Sequence, residues 1–461
     1  MRERRDNLIA ILALASMIMG VAIWNGFPLV YADTGTYLVS AMDGVVPEDR
    51  PYWYGVYLRW TVLGYPWPWL PVTLQALLCA LLILRLFRLH APRTRVRLTA
   101  MVCTTILMLG TGLGWNAGQL MPDIFTGIGV LSLLLLWSDT GVLWRTIAYS
   151  ILVITSTWVH SSNLIIITLL VMAFLPAFGS GRPPLRQGWR GVMLTTVMAW
   201  LGLLQANRMA DGEAYVAKGG HVFLMGRMVD SGMLPAWLDA HCPKEQLALC
   251  AYRDHLRPVD SGGFNRADSP LQHMGGWEAT RQEYGHIVRS SFMEPRFLWW
   301  HIRDGLRSTF VQLHLWTVGE RLRGTWYREA DSPPYQAIAQ YLPDALPAYR
   351  SSRQCELPDG GEAVLQAADH GYQFTMVATA LLMLVALLPG VLRRLGLEKR
   401  VLLSMTISAV LIDCAVCAGS SIADDRFLSR ISWILPLAAM LCIADLAWLR
   451  STQNTGQAVS V

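Results

Sequence analysis

Residues 27–57, FPLVYADTGTYLVSAMDGVVPEDRPYWYGVY, lie between the first two apolar segments of the chain. They include three aspartates, Asp33, Asp43 and Asp49, together with Arg50 and a cluster of tyrosines and tryptophans. Moving a carboxylate into lipid costs roughly 2.5 to 3.5 kcal/mol on insertion scales. Acids at a membrane boundary therefore favour a hydrated cleft or a functional role, and we expect this loop to form the floor of a functional site.

The composition of the chain is that of a membrane protein. Of the 461 residues, 53% are hydrophobic and only 15% are charged. The net charge of +5 comes from basic residues that fall in short clusters between apolar segments, which is a pattern of membrane topology. The sequence therefore predicts an all-α polytopic membrane protein and indicates no nucleic-acid partner.

The apolar segments predict about ten transmembrane helices, since a helix rises about 1.5 Å per residue and the hydrocarbon core is about 30 Å thick. The segments are residues 8–24, 69–89, 98–115, 124–137, 146–178 (two helices separated at His160), 192–205, 374–392, 401–418 and 432–449. No internal repeat is visible, which argues against a transporter built from duplicated halves.

The positions of the basic residues predict how these segments are oriented across the membrane. They cluster at residues 2–5, 85–97, 182–190 and 393–400. Positive residues stay in the cytoplasm, so both termini are predicted to be cytoplasmic in a bacterial-type inner (plasma) membrane. The prediction divides the chain into residues 1–207, with a first outer loop at 25–68, residues 208–372 as a mixed or mainly helical periplasmic domain, and residues 373–461.

The periplasmic domain carries two features of its own. Phe297, Trp300, Ile302 and Leu306 recur near helical spacing, opposite charged residues at 303, 304 and 307. This pattern predicts an amphipathic helix that lies on the membrane interface or, alternatively, packs on the core of the domain itself.

The second feature is a cysteine pair. Cys242 and Cys250 are eight residues apart and predict a disulfide in an oxidising compartment, with Cys355 as a free thiol or as the alternative partner. Zinc binding by the pair with His241 lacks the usual CxxC spacing. The other five cysteines fall in predicted spans, where a lone cysteine behaves as a small apolar residue.

The candidate residues for catalysis or substrate binding lie on four separate outer turns. They are Asp33, Asp123, His160 and Arg426. Each has a structural alternative: the aspartates would cap helices, and Arg426 and Arg430 would extend to lipid headgroups. Taken together, acids, an imidazole and arginines at one membrane face suit a substrate that has an apolar tail and a phosphate head.

Three sequence features carry a resemblance. An acid follows the first span, a Pro-Asp turn precedes the fourth, and DDRFLSRISWILPL, residues 424–437, opens the last. With the large late outer segment, this arrangement resembles the GT-C superfamily of polytopic glycosyltransferases. The resemblance implies a lipid-phosphate-linked sugar as donor, Asp33 as the base or a metal ligand, and Arg426 as a phosphate contact.

The expected function is transfer of a sugar from a polyprenyl-phosphate-type donor to an extracytoplasmic acceptor. Asp33 would accept the proton of the acceptor hydroxyl, and Arg50 and Arg426 would hold the phosphate leaving group. We expect Asp123 and His160 to contribute to the same substrate site. Four aromatic residues of the first loop fit either an interfacial aromatic belt or platforms for sugar stacking: Tyr52, Trp53, Tyr54 and Tyr57.

Two questions stay open in the sequence. Asp33 is followed by Thr34 rather than by a second acid, which departs from many GT-C members and leaves a divalent metal at Asp33 and Asp49 undecided.

The alternative functions are a lipid or polysaccharide transporter or flippase, and a non-catalytic membrane assembly protein. A hydrolase would need a nucleophile, for which Ser161 beside His160 is the only suggestive pair. No protein partner is indicated.

Overall fold

The computed structural model describes residues 2–62, 67–92, 94–180, 183–256, 268–323, 325–356 and 362–454. These residues are mainly helical, and the sole β pairing among them is an isolated parallel bridge between Leu29 and Gln119. The predicted all-α fold is confirmed for this part of the chain. Arg93 and Arg182 of the predicted basic clusters lie outside the described residues, as do residues 63–66 of the first outer loop.

The helices are α1 Arg2–Ile18, α2 Gly20–Asn25, α3 Thr34–Asp43, α4 Tyr52–Val62, α5 Trp69–His90, α6 Val96–Gly110, α7 Leu113–Ala117, α8 Ile124–Ser138, α9 Leu143–Val159, α10 Ser161–Ser180, α11 Pro183–Asp211, α12 Gly220–Asp230, α13 Met233–His241, α14 Pro270–His273, α15 Gly276–Met293, α16 Pro295–Gln312, α17 Pro333–Tyr341, α18 Leu346–Arg350, α19 Arg353–Glu356, α20 Glu362–Leu387, α21 Pro389–Leu392, α22 Leu397–Ser420, α23 Asp425–Ser432 and α24 Ile434–Asn454.

Several of these helices are long and apolar enough to cross a membrane. Among the described residues four segments qualify by length and composition: α5, α20, α22 and Asp425–Ala444, which joins α23 to α24. Shorter apolar helices are α6, α8 and Ser161–Pro176. The outer faces of α6 and α11 expose large apolar side chains, as lipid-facing helices do; they are Leu98, Val102, Ile106, Leu109, Leu194, Val197, Met198 and Leu201.

The predicted break at His160 is confirmed. Helix α9 ends at Val159, His160 has extended backbone angles (φ −145°, ψ 118°), and α10 begins at Ser161. One long apolar stretch thus becomes two helices that pack on each other. The turn between them carries the His160 side chain.

Helix α8 is the centre of the bundle. Every residue from Ile124 to Trp137 is buried, and the helix packs against α5, α9 and α11. A helix that is apolar around its whole circumference belongs in such a position. Asp123 immediately precedes α8, so the aspartate lies at the middle of the bundle rather than at its rim.

Backbone pairing brings the first outer loop to the start of α8. The Leu29 N–H donates to the Gly118 carbonyl, and the Leu120 N–H donates to the Leu29 carbonyl, both at 2.9 Å. On the other side the Gln354 side chain bonds both the N–H and the C=O of Val30, at 3.0 and 2.8 Å. These bonds fix the segment that leads into Asp33.

Helices α3 and α17 pack closely against each other. A Cβ at Gly35 would lie 2.6 Å from the backbone of Pro333, so a larger residue would force these two helices apart. Glycine at this position allows the loop to press against the outer segment.

The outer segment divides its apolar residues between two cores. Helices α12 to α16 enclose one of their own, built around Met225, Trp237 and Tyr284. Residues of the later part, including Tyr327 and Tyr349, join the main core of the bundle. Residues 208–372 therefore contribute to the bundle as well as forming a separate packed unit.

The cysteines of this segment are accounted for. Cys242 and Cys250 form a disulfide whose Cα atoms are 5.8 Å apart, and Cys355 is a buried free thiol. The disulfide leaves no thiolate pair for zinc. His241 instead lies 3.0 Å from Glu294 through Nε2.

The apolar face predicted for α16 is partly wrong. Phe297 is buried in the core of the outer unit, only 1% exposed, whereas Trp299 and Phe310 join Ile302 and Leu306 on the exposed side. The helix carries two apolar arcs, one packed on the protein and one facing outward.

Candidate functional site

One cavity collects polar groups from distant parts of the chain. Together with its open mouth, the cavity has a volume of about 1270 Å³. Its polar lining includes side chains from the first outer loop, the α9–α10 turn, the loop after α11 and the start of α23, among them Asp33, Asp49, Arg50, His160, Lys218 and Arg426. Four of the five residues predicted for the site, all except Asp123, thus line a single cavity.

Asp33 lies between two arginines. Its Oδ1 accepts a hydrogen bond from Arg50 Nη2 at 2.5 Å, and its Oδ2 accepts one from Arg426 Nη1 at 2.9 Å. Burial favours the neutral acid, but the charges and hydrogen bonds of the two guanidiniums outweigh it and hold the pKa of Asp33 well below its usual range. Its side chain makes no capping bond to α3, so the capping alternative is wrong.

Arg50 is held from more than one side. Its Nη1 donates to the Asp49 carbonyl at 2.9 Å and lies 3.9 Å from the Asp49 carboxylate. Its guanidinium also lies 5.9 Å from the centre of the Phe223 ring, on the opposite wall of the cavity. Burial raises the pKa of Asp49, so this acid is a weaker counter-charge for Arg50 than Asp33 is.

Asp123 lies beneath the cavity rather than in its lining. The residue is fully buried, and its Oδ1 lies 3.7 Å from Arg426 Nε and 3.6 Å from Arg430 Nη1. Neither carboxylate oxygen has a hydrogen-bond partner among the described residues. Its side chain does not cap α8. Asp123 therefore acts on both arginines through charge.

Arg430 is the site residue that the sequence does not reveal. It is fully buried, which excludes contact with lipid headgroups. Its guanidinium donates to Asp413 at 2.6 Å, to His160 Nε2 at 2.9 Å and to Ser162 Oγ at 3.1 Å. The available signal is the four-residue spacing from Arg426, which places both side chains on one face of a helix.

These contacts fix the state of His160. Because Nε2 accepts from Arg430, the ring proton is on Nδ1, which donates to Ser162 Oγ at 3.0 Å. Burial, together with the positive charges of Arg430 and Arg426, holds the pKa of His160 well below its usual range. His160 is thus a neutral, oriented ring. It bonds Ser162 and not Ser161, so the structure offers no support for Ser161 as a nucleophile activated by His160.

The acids of the site do not fit a resident divalent cation. Both oxygens of Asp33 are occupied by guanidiniums, and Asp49 is beside Arg50. In the described parts of the chain no three His, Cys, Asp or Glu side chains form a group that could hold a metal. The groups that contact Asp33 are the guanidiniums of Arg50 and Arg426 rather than further acids.

The aromatic residues of the first loop divide into two sets. Tyr54 and Tyr57 are turned into the bundle, where their hydroxyls donate to Gln75 Oε1 and to the Pro71 carbonyl, at 3.0 and 2.7 Å. This location is not that of an interfacial belt. Tyr52 and Trp53 line the cavity, as the stacking interpretation requires.

The wall beside the polar floor is apolar. It is formed by side chains from α9, α10, α11, α12 and α22: Trp158, Ile165, Leu203, Phe223, Leu224 and Val416. A ligand that carries an anion at one end and hydrocarbon at the other matches this division. Comparison with models of protein families, with curated proteins and with solved structures finds no match to the chain.

Proposed function

We propose that this chain is a membrane glycosyltransferase that moves a sugar from a polyprenyl-phosphate-type donor to an extracytoplasmic acceptor. The observation that carries the proposal is the position of Asp33, paired with Arg50 and Arg426 on the floor of a cavity whose adjoining wall is apolar. The charged floor suits the phosphate and supplies the base, and the apolar wall suits the lipid chain.

The chemistry follows from an exchange of partners. The donor phosphate takes the two guanidiniums, which bind phosphate as forks. Asp33 then loses the charges that depress its pKa and becomes able to accept the proton of the acceptor hydroxyl. That hydroxyl attacks the anomeric carbon, and the bond from this carbon to the phosphate oxygen breaks. A positioned base contributes about 10²–10⁴-fold to such a step.

The membrane arrangement is part of the proposal. Ten spans, cytoplasmic termini and a periplasmic segment 208–372 place the cavity on the outer face of a bacterial inner membrane. The disulfide between Cys242 and Cys250 supports an oxidising environment for that segment. A reporter active only outside the cytoplasm, inserted at the exposed Asp254, should be active. Activity of a cytoplasmic reporter there instead would reverse the topology.

The direct test is transfer by purified protein in lipid nanodiscs, with a panel of polyprenyl-phosphate sugars and mixed glycan acceptors. Asp33→Asn should slow transfer by about 10²–10⁴-fold, whereas Asp43→Asn should not, because Asp43 is an exposed acid of the same loop. Wild-type protein that transfers no sugar in cells or in vitro, with no glycan change on deletion, would refute the reaction.

A transporter or flippase is the alternative with an observation in its favour. Asp413 and Arg430 form a fully buried pair beside the cavity, and Asp413 lies within a candidate span. A carrier needs such groups to change partners as it moves. Flipping of the lipid without sugar transfer in the same nanodisc preparations would select this alternative. A non-catalytic assembly protein would do neither.

A further inference from the structure

Helix α16 has an exposed apolar arc. At about 100° per residue, five large side chains fall within roughly 120° of its circumference. They are Leu298, Trp299, Ile302, Leu306 and Phe310, each between 40% and 68% exposed. Soluble proteins seldom leave a contiguous surface of this kind uncovered.

A basic arc adjoins the apolar one. Arg296, Arg303 and Arg307 fall within roughly 40° of one another by the same helical geometry, and all three are exposed. None of them forms an ion pair with a described residue. Arg303 lies over the ring of Trp300, 5.6 Å from its centre. Three unpaired guanidiniums beside an apolar surface complement an anionic amphiphile.

The rest of the circumference holds the helix to the protein. Phe297 and Ser308 are buried, and Asp304 accepts hydrogen bonds from Arg227 of α12 at 2.7 Å. The orientation of α16 is therefore fixed, and its apolar and basic arcs face outward together.

The location of α16 identifies what covers it. The helix packs against α22, a candidate membrane span. At its last residue, Gln312 bonds the backbone N–H and C=O of Asp424, at 2.9 and 2.7 Å. Asp424 directly precedes the candidate span Asp425–Ala444. The helix that carries the exposed arc thus lies beside two candidate membrane spans.

We infer that the apolar arc of α16 inserts into the outer leaflet of the membrane and that Arg296, Arg303 and Arg307 bind the phosphates of anionic lipid headgroups. The occupant is bilayer phospholipid, in the manner of an interfacial amphipathic helix. This inference does not depend on the reaction catalysed in the cavity.

The test uses the full chain in nanodiscs of phosphatidylglycerol that carries a photoreactive group on its acyl chain. After irradiation, lipid adducts are mapped by mass spectrometry. Adducts should form on α16 and on α20, whose Phe374 is 76% exposed. The 3₁₀ helix Ala248–His255 of the outer unit should stay unlabelled, since its exposed side chains include the polar Arg253, Asp254 and His255. Labelling of α20 without α16 would overturn the inference and leave a protein partner as the occupant.

Two variants separate the arcs. Ile302→Glu with Leu306→Glu changes exposed side chains only, so the fold is retained and labelling of α16 should fall at least several-fold while that of α20 persists. Arg303→Glu with Arg307→Glu should abolish the preference of α16 for phosphatidylglycerol over phosphatidylcholine probes. Equal labelling of wild type by both lipids would refute the headgroup contact, and unchanged labelling of the glutamate pair would refute insertion.

Discussion

Replacing Asp33 by asparagine should separate catalysis from donor binding. In the free protein the carboxylate occupies both arginines that the donor phosphate requires. Asparagine keeps the volume and one acceptor but removes the charge and the basicity. We therefore expect Asp33→Asn to bind the phosphorylated lipid more tightly than wild type while it transfers sugar more slowly.

The magnitude follows from the two hydrogen bonds. A bond to a charged group contributes about 1.5–3 kcal/mol and a neutral one about 0.5–1.5 kcal/mol, so the bond to the remaining amide oxygen is weaker by about 1 kcal/mol and the other, whose acceptor becomes an NH₂ group, is lost at about 2 kcal/mol. The sum of about 3 kcal/mol corresponds to roughly 100-fold tighter phosphate binding at 1.4 kcal/mol per tenfold. Loss of the base should lower kcat by about 10²–10⁴-fold.

Polyprenyl phosphate without a sugar is the ligand for the binding measurement, since it needs no knowledge of the donor. Its affinity is measured by native mass spectrometry of protein in nanodiscs, and kcat and KM are measured with whichever sugar donor is active. Asp43→Asn serves as the control, and thermal unfolding checks the fold of both variants. Weaker lipid binding by Asp33→Asn would refute the exchange of partners, and an unchanged kcat would remove Asp33 as the base.

Three further outcomes are expected. Arg426→Lys should lose activity, because an ammonium cannot hold carboxylate and phosphate as a fork; full activity in an assay of sugar transfer would show that a point charge suffices. Arg430→Met should lower the free energy of unfolding by about 3–5 kcal/mol in a denaturation experiment, since it leaves buried Asp413 unpaired. Adding Asp413→Leu should restore much of this loss. If the double variant is no more stable than Arg430→Met, the unpaired Asp413 is not the cause of the destabilisation. Alkylation of unreduced protein should leave Cys242 and Cys250 unmodified in a mass-spectrometric assay, and free labelling of both would contradict the disulfide.

The sequence predicts where the site residues lie because each end of a span falls on a defined side of the membrane. Alternation of spans and basic clusters predicts that Asp33, His160 and Arg426 lie on one face, and the structure brings the three residues to one cavity. It does not show that Asp33 is already paired with Arg426. That contact depends on the backbone bridge at Leu29 and on the packing of α23, which involve residues far apart in the chain.

On α16 the helical periodicity does not predict which apolar residues are buried and which are exposed. A helical pattern reveals that apolar residues share a face, but this helix has two such faces. Phe297 lies roughly 100° from the start of the exposed arc by helical geometry, and nothing local distinguishes the arc that packs on the protein from the arc that faces outward. Likewise α20 begins at Glu362 rather than at residue 374, since hydropathy reports depth in the membrane and not helicity.

The pairing of Asp33 with Arg426 also has a consequence for biosynthesis. The two residues are 393 positions apart in the chain. Membrane proteins are made from the N-terminus onward, so Asp33 and Asp123 enter the membrane long before Arg426 and Arg430 exist. A chain that stops short of the last span carries Asp123 at the centre of its bundle without a counter-charge. Insertion of the final span is the step that neutralises it, and unfinished chains are chemically distinct from finished ones.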